Sequence, residues 1–173
     1  MIKSVKIIAA ALSIALIGGC SRMAVNETTV DVNFKKLDEK ASVPIYGTPS
    51  SAGCDLRACL DKDVVLQPGK IAMIPIGMAF EIPEGHFGLV CPRSGLASKY
   101  GVTLINSPGV LDSDFRSEMK VPLTNYSNIP FTITNGMRIV QLIIIPFKKA
   151  NWKEAKELSK TAREGGFGST GLK

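Results

Sequence analysis

The feature that most constrains the fold is the length of the apolar segments. From residue 29 onward they are short or alternate with polar residues, as in TVDVNF, VVL, IAMIPIGMAFEI, FGLVC, VTLIN, MKVPLTN, PFTITN and RIVQLIIIPF. Turn sequences rich in Gly and Pro, such as TPSSAG, QPGK, IPEGHFG and TNG, separate them at short intervals. Segments of this length between turn signals are typical of strands in a sandwich or barrel. The sequence therefore predicts an all-β domain.

The chain has the length of a single domain. Its 173 residues are 45% hydrophobic, which is enough to fill one core. We place a β-domain at residues 23–147 and a C-terminal arm at residues 148–173. Within the arm, NWKEAKELSK carries Lys and Glu throughout and is predicted to be a solvated connection or one short helical turn. The arm ends in the glycine-rich segment REGGFGSTGLK.

Residues 1–22, MIKSVKIIAAALSIALIGGCSR, have the composition of a targeting signal. A positively charged start precedes an apolar run from Ile7 to Ile17, which is well short of the roughly 20 residues needed to span a bilayer. The sequence IGGC resembles the lipobox of bacterial lipoproteins, in which the cysteine, here Cys20, is lipidated after cleavage. The alternative is that translation starts at Met23 and that the segment is not part of the protein.

The charge of the chain does not favour a nucleic-acid partner. The formal net charge is +6, and three of the positive charges precede residue 23, which leaves a mild +3 for the rest. No basic stripe with interleaved aromatic residues is present in the sequence, so nucleic-acid binding is not predicted. A small anionic ligand fits this charge better.

The cysteines and the histidine exclude further classes of site. Cys54, Cys59 and Cys91 form no CxxC pair, so we predict buried thiols rather than a disulfide framework or a zinc site. His86 is the only histidine, which argues against a histidine-based triad or metal site.

Two segments combine residue types that suit phosphate and water chemistry. CPRSGLASKYGV, residues 91–102, places Arg93, Ser94 and Gly95 in a turn between two strand-like segments. A guanidinium, a hydroxyl and unobstructed backbone N–H groups together suit phosphate oxygens. GVLDSDFRSEMKV places Asp112 at a tight bend before Phe115, so a carboxylate base for water lies beside a ring that can stack on a sugar. Each segment taken alone is also compatible with an ordinary solvated turn.

Three further segments carry weaker signals. SAGCDLRA offers Asp55 beside a glycine, and RIVQLIII sets Arg138 and Gln141 on an otherwise apolar strand, where Gln141 is also compatible with an outward face. GFGSTG, residues 166–171, matches GxGxxG, but a dinucleotide-binding loop needs a following helix and only two residues follow. Its backbone N–H groups can instead form an anion-binding nest.

The chain closely resembles the trimeric dUTPases, whose five motifs are matched in order by AGCDLRA, PRSGLA, GVLDSDF, RIVQL and GGFGSTG, over about residues 30–171. The resemblance implies a jelly-roll-like (β-clip) domain with a C-terminal arm, assembled as a homotrimer with sites shared between subunits. It also implies hydrolysis of the substrate dUTP to dUMP and pyrophosphate with Mg²⁺ as cofactor, a reaction that supplies dUMP and keeps uracil out of DNA.

The resemblance also implies roles for individual residues. Asp112 corresponds to the carboxylate that orients and deprotonates the attacking water. The phosphate contacts correspond to Arg93, Ser94, Gly95, Gln141, Arg163, Gly168, Ser169 and Thr170. The base and sugar contacts correspond to Asn106, Gly109, Val110, Leu111, Phe115 and Phe167. No residue is expected to ligate the metal directly, because Mg²⁺ is held by the phosphates and by water, with Asp55 near those waters.

Two positions depart from the family pattern. Phe115 stands where a tyrosine is usual, so the ring that rejects a 2′-hydroxyl is kept and a hydroxyl hydrogen bond is lost. The fifth motif reads REGGFGSTG instead of RGxGGFGSTG, so it is one residue shorter between Arg163 and Phe167. This shortening favours an alternative function, a dUTP-binding regulatory protein with weak turnover. A dCTP deaminase, which shares the fold, is less compatible with the DSDF motif.

The resemblance also leads to expectations for the C-terminal arm and for the first 22 residues. The arm is expected to cross to another subunit and close over its nucleotide, with Phe167 on the uracil and Arg163 over the phosphates. Because dUTP is a cytoplasmic metabolite, a start at Met23 and a cytoplasmic location are favoured. If the sequence as written is exported, the protein is instead a membrane lipoprotein anchored through Cys20.

Overall fold

A computed structural model describes residues 29–162 of the chain. Over this range the chain forms twelve strands and one short helix, so the all-β prediction is confirmed. The elements are β1 Asn33–Lys36, β2 Ile45–Tyr46, β3 Cys54–Arg57, β4 Val64–Leu66, β5 Ile71–Pro75, β6 Met78–Glu81, β7 His86–Pro92, α1 Ser94–Tyr100, β8 Val102–Leu104, β9 Gly109–Leu111, β10 Lys120–Asn125, β11 Phe131–Ile133 and β12 Arg138–Pro146.

The strands form four antiparallel sheets. A five-stranded sheet has the order β2-β3-β12-β7-β9, and a three-stranded sheet has the order β5-β10-β8. Two smaller sheets pair β1 with β6 and β11 with β4. β12 is the longest strand because its sequence is rich in β-branched residues, and it pairs with β3 on one side and with β7 on the other. The two neighbours of β12 are therefore distant from it in sequence, as in a jelly roll.

One hydrophobic cluster draws on all of the larger sheets. Leu56 and Val140 from the five-stranded sheet, Ile74 and Leu123 from the three-stranded sheet, and Ile133 from β11 are almost fully buried. Their positions follow the two-residue period of strands, since buried and more exposed residues alternate along β10 as far as its middle. The core thus fixes which face of each sheet remains available for a site.

Two of the three described cysteines are buried as predicted, and Cys91 is half-buried; all three are free thiols. Burial raises the pKa of the Cys54 thiol, which donates a hydrogen bond to the carbonyl oxygen of Leu142 at 3.3 Å. Burial also raises the pKa of Cys59. The neutral thiol is thereby favoured at both buried positions.

Helix α1 corrects the prediction of a turn at residues 93–95. Arg93 is extended and caps the helix, whose first residues are Ser94 and Gly95. Leu96 is the buried side chain of the helix, and Gly101 ends it in the left-handed conformation with φ 65°, where its N–H donates to the carbonyl of Ala97 at 3.1 Å. Seven residues with a single buried side chain show no helical periodicity, so only the terminal glycine signalled this helix.

The segment after β12 is exposed and forms neither helix nor strand from residue 148 to residue 160, in agreement with the predicted solvated connection. In the described part of the chain, no helix is long and apolar enough to cross a membrane.

Candidate active site

A cavity of about 170 Å³ is lined mainly by β8, β9, β10 and the turn that follows β9. It brings together six residues that the motif pattern assigned to the base, the sugar and the reaction, namely Asn106, Gly109, Val110, Leu111, Asp112 and Phe115. Apolar side chains including Leu104, Met119 and Val121 complete the wall. The cavity therefore combines an apolar wall with an amide and a carboxylate.

The close approach of β9 to β7 shapes one side of this cavity. Gly109 lies opposite Val90 in the sheet. A Cβ at Gly109 would lie 3.2 Å from the Cβ of Val90 and 3.5 Å from Nδ2 of Asn106. A larger residue here would crowd both the sheet and the Asn106 amide. Glycine thus keeps the strand seated while leaving space beside the amide.

A tight turn after β9 presents Asp112 and Phe115 from the same few residues. The Phe115 N–H donates to the carbonyl oxygen of Asp112 at 3.2 Å. The Asp112 carboxylate is exposed, and Phe115 is 40% exposed. Asp112 makes no ion pair with any residue between 29 and 162, so its carboxylate remains available to a water or a ligand.

A second cluster surrounds the buried carboxylate of Asp55 on β3. Arg93 Nε donates to Oδ1 of Asp55 at 2.9 Å, and Arg138 Nη1 donates to Oδ2 at 3.0 Å. Arg93 Nη1 also donates to the backbone carbonyl of Arg138 at 3.3 Å. A buried carboxylate requires such partners, because an unpaired charge away from water is costly. The result is one carboxylate that orients two guanidinium groups.

Both guanidinium groups keep an open side. The side chain of Asp55 is 8% exposed, whereas the side chains of Arg93 and Arg138 are 25% and 47% exposed. Two positive charges against one negative charge leave the cluster with a net positive charge. Such a cluster can attract an anion to its open side.

Gln141 lies on β12 between Asp55 on β3 and Cys91 on β7. Residues directly opposite in antiparallel strands share one face of the sheet, so the Gln141 amide is on the same face as the Asp55 carboxylate. Ser94 and Gly95 follow Arg93 directly and are exposed, and a Cβ at Gly95 would meet open space. Arg93, Ser94, Gly95 and Gln141 are therefore found near the end of β7 and its pairing with the central strand β12.

The structure thus separates the predicted residues into two groups within one chain. None of the residues around Asp55 lines the cavity that contains Asp112. Arg163, Phe167, Gly168, Ser169 and Thr170 lie outside the described residues. The motif pattern assigned no role to Arg138, which proves to bind Asp55; its position three residues before Gln141 in RIVQL was the only signal.

Among residues 29–162, no group of three or more His, Cys, Asp or Glu side chains is close enough to hold a metal ion. Both oxygens of Asp55 already accept hydrogen bonds from arginines. This donor set fits a magnesium ion that arrives with the oxygens of a ligand and water better than a cage built from the protein.

The family model for dUTPase matches residues 39–171. The chain is 47% identical over 147 residues to the deoxyuridine 5′-triphosphate nucleotidohydrolase of Neisseria meningitidis serogroup A, with 83% of this chain and 98% of the relative covered. It is 49% identical over 152 residues to the protein of the same name from Rhizobium etli, with 85% and 97% covered. The chain belongs to the dUTPase family.

Solved structures give the same result. A point mutant of the Staphylococcus bacteriophage 80alpha dUTPase with dUpNHpp has a TM-score of 0.74 and 26% identity, and the match covers 83% of this chain and all of that chain. A second point mutant of the same phage protein has a TM-score of 0.73 and 27% identity, with 82% of this chain and 99% of that chain covered. The described fold is therefore that of the family.

Proposed function

We propose that this protein hydrolyses dUTP to dUMP and pyrophosphate. The observation that carries this proposal is the cavity in which Asn106, the β9 backbone, Phe115 and the exposed carboxylate of Asp112 share one wall. The chain belongs to a family whose curated relatives are named for this reaction, and a structural neighbour is described with dUpNHpp. The reaction supplies dUMP and keeps uracil out of DNA.

Asp112 acts as the base for the attacking water. Its carboxylate accepts the proton as the water oxygen bonds to the α-phosphorus, and the bond to the β-phosphate oxygen breaks with pyrophosphate as the leaving group. Attack in line with the leaving group requires little of the protein beyond positioning and charge stabilisation. An exposed carboxylate on a short, hydrogen-bonded turn suits that role.

The nucleoside is held by the rest of the cavity. Asn106 and the backbone of Gly109, Val110 and Leu111 contact the uracil, and the close packing of β9 against β7 leaves no room for a thymine methyl group. Phe115 packs on the deoxyribose and rejects a 2′-hydroxyl. Its 40% exposure in the free chain leaves ring surface for a sugar to cover.

The phosphates are bound by the group around Asp55. Arg93, Ser94, Gly95 and Gln141 donate to phosphate oxygens, and Asp55 orients the Arg93 guanidinium by the bond at 2.9 Å. Preorganised donors of this kind stabilise the charge that develops during phosphoryl chemistry. Arg138 holds the other oxygen of Asp55 and adds a second positive charge.

Magnesium is the proposed cofactor, held by the triphosphate and by water, with the Asp55 carboxylate near those waters. When bound, it neutralises phosphate charge. This arrangement follows from the preference of Mg²⁺ for phosphate and water oxygens.

The active unit is proposed to be a homotrimer with sites shared between subunits. The residues around Asp55 do not line the Asp112 cavity of the same chain, which is compatible with a site completed by a second subunit. Exposed apolar side chains support it too, among them Ile71 and Met73 on β5, each 57% exposed, and Val110, 63% exposed. The arm, residues 148–173, then crosses to a neighbour, where Arg163, Phe167, Gly168, Ser169 and Thr170 cover the nucleotide.

One assay tests the function against its rivals. Purified protein is incubated with dUTP and Mg²⁺, and pyrophosphate release is measured with and without excess EDTA. Rapid, EDTA-sensitive release is expected. Tight dUTP binding with little pyrophosphate release would favour a regulatory protein. The shortened fifth motif supports this alternative. Ammonia release from dCTP would instead support a deaminase.

The proposed location is the cytoplasm, with translation from Met23. dUTP is made and used there, so an exported and lipidated enzyme would be away from its substrate. Mass spectrometry of the protein from its native cell tests the proposal. An N-terminus at Met23 or Ala24 is expected, and a lipid on Cys20 would identify a membrane lipoprotein instead.

A further inference from the structure

A polar contact network lies beside the Asp112 turn but outside the cavity. It occupies a groove lined by Asn33, Phe34, Lys35, Ala79, Phe80, Glu81 and Arg116. Arg116 directly follows Phe115 in the chain. The groove therefore adjoins the turn that carries the proposed base.

The guanidinium of Arg116 closes this turn. Its Nη1 donates to the carbonyl oxygen of Ser113 at 2.5 Å and to that of Phe115 at 3.2 Å. Arginine can bind several acceptors at once because its N–H groups form a rigid planar fork. These bonds act together with the Phe115 N–H bond to Asp112, so the backbone between the base and the sugar-contacting ring is fixed from two sides.

The other end of the guanidinium is tied to a strand pair. Arg116 Nη2 lies 3.5 Å from Oε1 of Glu81, and Asn33 Nδ2 donates to Oε2 of Glu81 at 2.9 Å. Asn33 and Glu81 are opposite each other in the pairing of β1 with β6. Neither of these strands lines the cavity, so the turn gains a support that does not itself contact the ligand.

The exposure of the pair argues against a role in folding. The Arg116 and Glu81 side chains are 51% and 54% exposed, and ion pairs at such exposure contribute little to stability. The bonds from Arg116 to the backbone instead restrict the orientation of the turn. We propose that Arg116 is a positioning residue, held in place by Glu81, that keeps Asp112 and Phe115 in their reactive arrangement. This inference deepens the proposed function and rests on it.

Steady-state kinetics with dUTP tests the inference on Arg116→Ala, Glu81→Ala and the double variant. Lys35→Ala is the matched control, because Lys35 is a cation that lines the same groove from β1 rather than from the turn. Misplacement of a catalytic group by about 1 Å costs on the order of 100-fold, so a kcat loss of roughly 10-fold to 100-fold is expected for Arg116→Ala, with KM nearly unchanged. Glu81→Ala should show a smaller loss of the same kind.

The double variant tests whether Glu81 acts through Arg116. If it does, the double variant is no slower than Arg116→Ala, because the carboxylate has nothing left to hold. Losses that multiply would contradict the link. Lys35→Ala should match the parent.

Other results of these assays distinguish a failure of the positioning role of Arg116 from a failure of the proposed function. A higher KM with unchanged kcat in Arg116→Ala would mean direct nucleotide binding and would overturn the positioning role, as would unchanged kinetics. Thermal unfolding and binding of dUpNHpp verify that each variant is folded, and Glu81→Ala carries the test if Arg116→Ala does not fold. A parent that releases no pyrophosphate would contradict the proposed function and with it this inference, whereas an active parent isolates the inference.

Discussion

Asp112 is the residue on which the proposed reaction depends most directly. Asparagine at this position keeps the shape and much of the hydrogen bonding but cannot accept a proton at neutral pH. Asp112→Asn should therefore lower kcat by roughly 10² to 10⁴, the range for loss of a general base, and leave dUpNHpp binding nearly intact. Asp114→Asn is the matched control, since Asp114 is exposed in the same turn but does not line the cavity. Unchanged pyrophosphate release in Asp112→Asn would remove it from this role.

Phe115 controls the sugar in the proposed site. Removing the ring in Phe115→Ala opens space for a 2′-hydroxyl, so UTP should be hydrolysed far better relative to dUTP than by the parent. Phe115→Tyr keeps the ring and should keep the discrimination. The ratio of kcat/KM for dUTP to that for UTP is the measurement. A parent that already treats both nucleotides alike would show that Phe115 is not the sugar gate.

At the scale of residues, the sequence identified several residues of the cavity but not the contacts between residues that are distant in the chain. Asn106, Asp112 and Phe115 were assigned through the resemblance to the dUTPases, and the structure brings them to one cavity because they lie close together in the chain. The bond between Asp55 and Arg138 joins residues 83 positions apart. It depends on how β3 and β12 align, and no local pattern encodes that alignment.

At the scale of secondary structure, some strands could be predicted from the sequence and others could not. Long strands such as β12 were predicted because a run of β-branched residues is sufficient to identify them. β2, β3 and β9 were not predicted, since their short sequences lie within or beside the turn-like segments TPSSAG, SAGCDLRA and NSPG. β9 exists because Gly109 fits against Val90, and that pairing is a property of the whole sheet.

Two glycines between strands allow packing at a turn to be separated from backbone conformation. Gly69 and Gly77 have nearly equal positive φ angles of 68° and 69°. A Cβ at Gly69 would meet nothing within 4 Å, whereas one at Gly77 would lie 2.7 Å from Sγ of Cys59 and 2.9 Å from the Cβ of Ala41. Both contacts at Gly77 are with buried core residues, which have little room to move.

Gly69→Ala should therefore cost only the left-handed conformation, about 1 to 2 kcal/mol. Gly77→Ala should cost that amount and in addition roughly 1 to 3 kcal/mol for overpacking. Urea unfolding at one fixed protein concentration measures both, because the stability of an oligomer depends on concentration. Equal losses in the two variants would contradict the packing at Gly77.

At the scale of the whole molecule, the residues of the candidate site fall into two groups that line no common cavity in the described chain. The Asp55 group and the Asp112 cavity each have a defined local geometry, yet they share no lining residue. In the proposed threefold assembly, each cavity faces the proposed phosphate-binding group of a neighbour. The proposed distribution of the site among subunits comes from the resemblance to the dUTPases and not from any local pattern, because it depends on surfaces that meet only after folding.

Mixed trimers test this distribution. A chain truncated after Ser159 lacks the glycine-rich end, and a full-length Asp112→Asn chain lacks the base, so each alone should be nearly inactive. If the arm of one subunit closes over the Asp112 of another, a mixed trimer contains sites with an intact base from the truncated chain and an intact arm from the variant. Unfolding and refolding the two chains together should then restore part of the pyrophosphate release.

The amount of pyrophosphate release that is restored depends on the random assembly of the two kinds of chain into trimers. It should rise and fall with the fraction of mixed trimers as the input ratio is varied, and it should vanish for either chain alone. If each arm instead folds over its own subunit's Asp112, no mixed site is complete, and mixing recovers nothing beyond the two parents. Native mass spectrometry must first show that mixed trimers have formed, after which an absence of recovered activity would mean that the arm does not cross between subunits.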